Sequence, residues 1–400
     1  MKKVFPVIVF LFCWTHVWAD RSPVSGDSLS RELQVSLLTC SPGEERYRYY
    51  GHSALLIRDN ASGEATVYNY GLFDFGAPFF IWRFMLGHTD YLCGACPLSR
   101  FVASYSADGT SLREDVLNLT SAEALRLQEA LQENILPQNA VYRYSFFYDN
   151  CATRIRDQVE HCIDGELEYP FSRKEVSLRD IVHHYSATHP WSLLGQDLLL
   201  GAEADVPADR KIQEFAPLVL EEDFCNAVIH ASDGGRRPLV KSSVLLLPEV
   251  SIPQEASSLF NPWVVSLLLL AIVVLVTIWD FYRRRSCWML DAFLLLAQGL
   301  IGVVITFMFF FSSHPTVGSN WLVLLFNPLP LVFWWYTVRK ERAGCSCVYH
   351  TVARLWLFLF LCATYVIPQY ISPEVKVLAL CLLIRSMSHH AIFAYQLRKQ

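Results

Sequence analysis

From Leu259 to the C-terminus the chain is a succession of apolar runs separated by short loops, and five of them approach the roughly 20 residues that a helix needs to cross a bilayer. They are Pro262–Tyr282, Met289–Phe311, Trp321–Val338, Val352–Ile371 and Val375–Leu397. The third is interrupted by Asn327, Pro328 and Pro330, and the fifth carries Arg385, His389 and His390. Ionisable groups at that depth are costly unless they pair internally or snorkel to an interface, and snorkelling to the inner face is the expectation here. Residues 259–400 therefore read as an all-α membrane bundle of about five helices.

Loop charge orients that bundle. Arg283, Arg284 and Arg285 follow the first run, Arg339, Lys340 and Arg342 the third, and Arg398 and Lys399 the fifth, whereas SSHPTVGSN and PQYISPE carry no Lys or Arg. The positive-inside rule places the basic loops in the cytoplasm and the other two, with everything before residue 259, outside it. The N-terminus agrees independently. MKKVFPVIVFLFCWTHVWA, residues 1–19, has a basic start, an apolar run and a V-W-A end, which is the pattern of a cleaved secretory signal. An uncleaved signal anchor is the alternative. Cys13 follows Phe12, where lipoprotein processing requires a small residue. A formal net charge of −5 gives no reason to expect nucleic acid as a partner.

Residues 20–258 form the exported part. ELQVSLLTC, HSALLIRD and EATVYNYG read as strands, the last two joined through the turn residues NASG. SAEALRLQEALQENI has helical spacing with Ser121 as the expected N-cap, and AVYRYSFFY reads as extended. A helix is expected from about Cys151 to Ile163, with Ile155 and Val159 on one face. Ser177–Tyr185 and WSLLGQDLLLGAEAD read as further helix, and LLLPEVSIPQEASS as the linker to the membrane. This mixture is of the α+β class.

The exported part holds Cys40, Cys93, Cys96, Cys151, Cys162 and Cys225, an even set in a compartment where disulfides persist. Full pairing is the simplest reading. CGAC offers a local redox or metal pair, but without a second CxxC or a ligand His at suitable spacing no zinc is expected, and no cofactor is called for. Cys151, after Tyr-Asp-Asn in FFYDNCATRIRD, stands apart: at the first turn of a helix, free N–H groups and the helix dipole stabilise a thiolate. A Cys–His apparatus then needs an imidazole and a third group to orient it. His52 opens its strand, and a short hairpin brings it opposite Asn69 to Gly71. Asn69 is the expected orienting group, with Tyr70 and Tyr148 as rivals. Cys40 is both a competing nucleophile and an alternative disulfide partner. A lone strand histidine is more often a surface or core group, so spacing alone leaves the question open.

The order of His on a strand, a polar residue on the next, and Asn150-Cys151 at a helix start resembles the circularly permuted NlpC-type papain-like fold, shared with the lecithin:retinol acyltransferase group. More specifically, LLTCSPGEERYRYYGHSALLIRD, VYNYGLFDF, FFYDNCATRIRD, WSLLGQDLLLGAEAD and SSHPTVGSNWLVLLFNPLPL together resemble the Lnb-type bacterial lipoprotein N-acyltransferases, from about Leu37 to the last span. The resemblance implies transfer of a fatty acyl chain from a phospholipid donor to the N-terminal amine of a diacylglyceryl-cysteine lipoprotein acceptor. It also implies Cys151 as nucleophile, His52 as acid and base, and a bacterial inner membrane location with the catalytic domain in the periplasm. His314 and Asn320, in the outward loop SSHPTVGSN, are candidates for lipid head groups or for completing the site from below. LFDFGAPFFIWRFMLG, residues 72–87, is too apolar for an ordinary loop; it dips into the membrane, lines an acyl groove, or is plain core. Two other readings stand beside this one: a membrane-anchored cysteine hydrolase acting on cell-wall peptides, and a non-enzymatic domain with all cysteines in disulfides.

Overall fold

Strand β2 (His52–Asp59) is apolar without alternation because the sheet it belongs to is covered on both faces. In the computed structural model, which describes residues 32–45, 48–74, 76–170, 174–249 and 260–397, seven strands form one antiparallel sheet. The expected signal segment 1–19 and residues 250–259 of the expected linker lie outside the described residues. Strand β1 (Leu33–Cys40) pairs with β2, with Cys40 directly opposite His52. β2 then pairs with β3 (Ala65–Leu72) and β3 with β4 (Asp90–Pro97), which pairs with the short β6 (Val141–Arg143). On the other flank β5 (Leu112–Leu117) joins β1, and Val240–Leu247 joins β5. The first part of the expected linker, Leu245–Leu247, is thus the end of an edge strand whose backbone pairs with β5.

Between β3 and β4 lies helix α1 (Phe80–Leu86), and α2 (Leu98–Ser106) follows β4. Next come α3 (Ser121–Asn134) and α4 (Cys151–Cys162). Leu127, Leu131, Ile155 and Val159 of α3 and α4 pack on Val35, Leu37, Leu55, Ile57 and Tyr68. On the opposite face Phe101 of α2 packs on Leu38, Ala54, Leu56 and Val67. The cap of α3 is Thr120 rather than Ser121, because Glu123 closes a reciprocal box with it: Glu123 N donates to Thr120 Oγ1 at 3.3 Å and Thr120 N to Glu123 Oε2 at 2.7 Å.

Cys93 and Cys96 fall on opposite sides of this sheet, Cys93 with the α3–α4 core and Cys96 with the α2 core. An odd separation along a strand sends the two side chains to opposite faces, so CGAC forms neither a local redox pair nor a metal pair. All eleven cysteines among the described residues are free thiols.

The C-terminal part is an apolar helical bundle. Three helices are long and apolar enough to span a membrane: Pro262–Arg283, Trp288–Phe311 and Pro373–Tyr395. Trp321–Val332 and Trp334–Arg342 form a further segment bent by 65°, and Val348–Ala363 is a shorter apolar helix. The bend follows the Asn327, Pro328 and Pro330 interruption, where Pro removes backbone donors. Snorkelling of Arg385 is not what the structure shows. Arg385 is buried, with Nε 2.6 Å from Asp291 Oδ1, Nη2 2.8 Å from Asp280 Oδ2 and Nη1 donating to Thr277 Oγ1 at 3.0 Å. His389 is also buried, stacked on His350, and only His390 is exposed.

The two loops that lack Lys and Arg are those that meet the N-terminal part. Asn320 Nδ2 donates to Leu198 O at 2.8 Å, and Gln369 Nε2 to Leu200 O at 3.1 Å and to Asn320 Oδ1 at 3.0 Å. Tyr370 N reaches Asp205 Oδ2 at 3.1 Å and Glu203 N reaches Ser319 Oγ at 3.0 Å. At Gly201 the chains approach so closely that a Cβ would lie 2.3 Å from Thr316 O. Behind this seam the buried Arg179 holds Asp197 and Asp205, each at 2.7 Å.

Candidate active site

Asn150 decides where Cys151 sits. Its Oδ1 accepts from Ala152 N at 2.9 Å and Thr153 N at 3.0 Å, capping α4, while Nδ2 donates to Phe146 O at 2.9 Å and Phe215 O at 2.8 Å. With every amide position engaged and the residue buried, Asn150 is a cap and not a group available to substrate. Cys151 is thereby fixed as the first residue of the helix.

His52 meets it from the start of β2. Its Nε2 lies 2.6 Å from Asn69 Oδ1, which leaves Nδ1 for Cys151, within whose electrostatic reach the imidazole lies. Gly71 lies beside both. Its φ of +90° falls where β3 bulges against β4, and a Cβ there would sit 3.9 Å from both Cys151 Cβ and His52 Cε1. The sequence candidates Cys151, His52 and Asn69 therefore lie together, all half-buried.

Burial is the largest influence on the Cys151 thiol and opposes ionisation. It is outweighed by the charge and hydrogen bond of His52 and by the N–H groups of Ser53 and Ala152, so the thiol pKa falls below its ordinary value. For His52, burial again acts first and lowers the pKa, but the Cys151 charge, its hydrogen bond and that of Asn69 together raise it. Both shifts favour a thiolate–imidazolium pair. Of the six cysteines described before residue 259 Cys151 alone moves down. Burial pushes Cys93 up to about 11, Cys162 and Cys225 up to about 12, and Cys40 higher still. Cys40 is fully buried and hydrogen-bonded to the Tyr105 hydroxyl, which removes it as a rival nucleophile.

The other candidates lie elsewhere. Tyr70 points into the α3–α4 core, where its hydroxyl accepts from Asn134 Nδ2 at 2.9 Å, because its place on β3 is one residue out of phase with Asn69. Tyr148 is exposed, within electrostatic reach of Glu203. His314 Nε2 lies 2.5 Å from Phe84 O and Asn320 is engaged in the seam, so both bind the two parts together. Sequence reasoning missed Tyr105, whose ring stacks 6.3 Å from that of His52, and the Ser53 N–H; neither carries a motif. In the bundle Glu341, His350 and His389 offer three ligand atoms within 4.8 Å of one another, the one set with metal-binding geometry among the described residues.

No curated protein and no solved structure matched the chain. Two family models did, in order: residues 26–184 match the Lnb N-terminal periplasmic domain and residues 254–397 the Lnb transmembrane domain. Together the matches span about three quarters of the sequence, and the mixed helix-and-sheet unit followed by an apolar helical bundle is the architecture they describe. The chain belongs to the Lnb-type lipoprotein N-acyltransferase family, membrane proteins with a periplasmic N-terminal domain.

Proposed function

We propose that this protein transfers a fatty acyl chain from a phospholipid to the α-amine of a diacylglyceryl-cysteine lipoprotein, through a thioester on Cys151, in the bacterial inner membrane. The observation that carries the reading is the meeting of Cys151, at a helix N-terminus, with His52 and its partner Asn69, on a domain seated against an apolar helical bundle. The chain order His, Asn, Cys, with the first two on adjacent strands, also accords with a permuted papain-like arrangement.

In the first half-reaction the Cys151 thiolate attacks the ester carbonyl. The tetrahedral oxyanion forms beside the Ser53 and Cys151 N–H groups, and loss of one such donor typically costs on the order of 10²–10³ in rate. The C–O bond to glycerol breaks as imidazolium His52 gives its proton to the departing oxygen, releasing lysophospholipid and leaving the acyl group on sulfur. In the second, the neutral α-amine, whose pKa is near ~8, attacks the thioester carbonyl. His52 takes the amine proton, the C–S bond breaks, and the amide product leaves a thiolate paired again with imidazolium. Asn69 holds the ring through both steps.

Intact-mass spectrometry of the full-length protein after incubation with phospholipid tests this. A hydroxylamine-labile acyl adduct mapped to Cys151, absent in Cys151→Ala, is expected. No adduct, or full transfer activity in Cys151→Ala, refutes the mechanism. Consumption of cell-wall peptides without any acyl adduct would favour the hydrolase instead.

A further inference from the structure

Helix α1 has no buried residue. Phe79 is 82% and Ile81 75% exposed, and Trp82 and Phe84 are exposed beside them. The plain-core reading of residues 72–87 therefore fails for this helix. Its one charge, Arg83, pairs at 2.7 Å with Asp90, a carboxylate that Arg143 also holds at 2.9 Å. An apolar surface of this kind needs a cover.

Its position relative to the bilayer follows from its attachments. Ser313, two residues past the span Trp288–Phe311, donates from N to Leu86 O at 2.9 Å, and His314 holds Phe84 O. The Trp82 ring lies 4.9 Å from that of Phe307, within the span and about one turn from its end. Trp82 is thus level with the outermost turn of a spanning helix, at the depth of the outer-leaflet acyl chains.

Rings then run from this helix toward the thiol. Phe84 is 6.3 Å from Phe80, Phe80 is 6.0 Å from Phe73, Phe73 is 5.0 Å from Tyr91 and Tyr91 is stacked 4.1 Å from Tyr144. Tyr144 lies within electrostatic reach of Cys151, and Phe73, Tyr144 and Cys151 all rim the same core at partial burial.

We propose that α1 lies in the outer leaflet and that Phe80, Phe73 and Tyr144, seated on the buried Tyr91, form the track along which one phospholipid acyl chain reaches Cys151. The proposal rests on the acyl-transfer reading and names the binding site that reading needs. Each methylene drawn into water costs roughly a fourfold factor in equilibrium, so an acyl ester reaches a thiol above the bilayer only along a lined path.

The test uses full-length protein in phosphatidylethanolamine–phosphatidylglycerol nanodiscs doped with a phosphatidylcholine carrying a diazirine at the acyl terminus. After irradiation, adducts are expected on residues 79–86 and at Phe73 and Tyr144, in wild type and in Cys151→Ala alike. In Ile81→Glu the adducts at Phe73 and Tyr144 should fade. The ratio of Cys151 acylation by nanodisc lipid to acylation by soluble p-nitrophenyl butyrate should fall about tenfold or more. Adducts confined to the spanning helices, or an unchanged ratio in Ile81→Glu, overturn the proposal. Failure of both donors to acylate wild-type Cys151 would instead strike the proposed reaction, and the cross-linking map would still decide the lipid track alone.

Discussion

The Cys151 thiol is held between two opposing influences, burial that raises its pKa and His52 that lowers it, with His52 and the two N–H groups prevailing. The sign of a perturbation follows. In wild type, alkylation of Cys151 by iodoacetamide should rise with pH through a midpoint below the ordinary thiol value, since the reactive thiolate persists as pH falls. His52→Ala removes the chief lowering influence and leaves burial, so the midpoint should move above that value. Peptide-mapped alkylation from about pH 5 to 10 reads both, a window that brackets the ordinary His and Cys pKa values. A midpoint unmoved by His52→Ala would show that helix and backbone groups alone tune the thiol. The same substitution should slow acyl transfer by on the order of 10²–10⁴, the range for loss of a general acid–base group.

The hairpin β2–β3 and the start of α4 carry most of what was legible beforehand. β2 begins at His52 and ends at Asp59 as its apolar run predicts, α4 begins at Cys151, and the NASG turn sets a register that brings Asn69 diagonal to His52. The less legible elements are those whose cause is tertiary. Leu245–Leu247, the end of the edge strand, reads as linker because an edge strand needs only one partner, and its partner β5 lies over a hundred residues earlier. Period-2 alternation in β4 is masked by Gly94 and Pro97, so the opposed faces of Cys93 and Cys96 do not show in the spacing. The bulge at Gly71 is a property of the hairpin that can be tested. Gly71→Val places a branched side chain at φ +90° beside both Cys151 and His52. The backbone cost is about 1–2 kcal/mol, for which a fall in Tm of roughly 2–4 °C per kcal/mol is expected. Alkylation of Cys151 should slow as well, although no functional side chain has been removed. Wild-type alkylation in a destabilised variant would show that the gap at Gly71 serves the backbone only.

At the scale of the molecule, polar chemistry sits at both ends of an apolar bundle. Toward the basic loops, Arg385 joins three helices through Asp280, Asp291 and Thr277. Arg385→Ala would leave two buried carboxylates without their cation, a loss of about 3–5 kcal/mol for a broken buried pair. Thermal unfolding in detergent should show a large drop in Tm, whereas a charge-conserving exchange in the exposed basic turn, Arg283→Lys, should leave it unchanged. Toward the N-terminal domain, Gly201 fits against Thr316 with no room for a side chain, and Asn320 and Gln369 lace the two parts together. On the acyl-transfer reading, that joint holds the sulfur of Cys151 at one altitude over the lipid surface. Altitude is then itself a filter. An amine presented by an anchored chain at the level of the head groups comes within range, while the same amine on a soluble peptide, however abundant, has no reason to linger there.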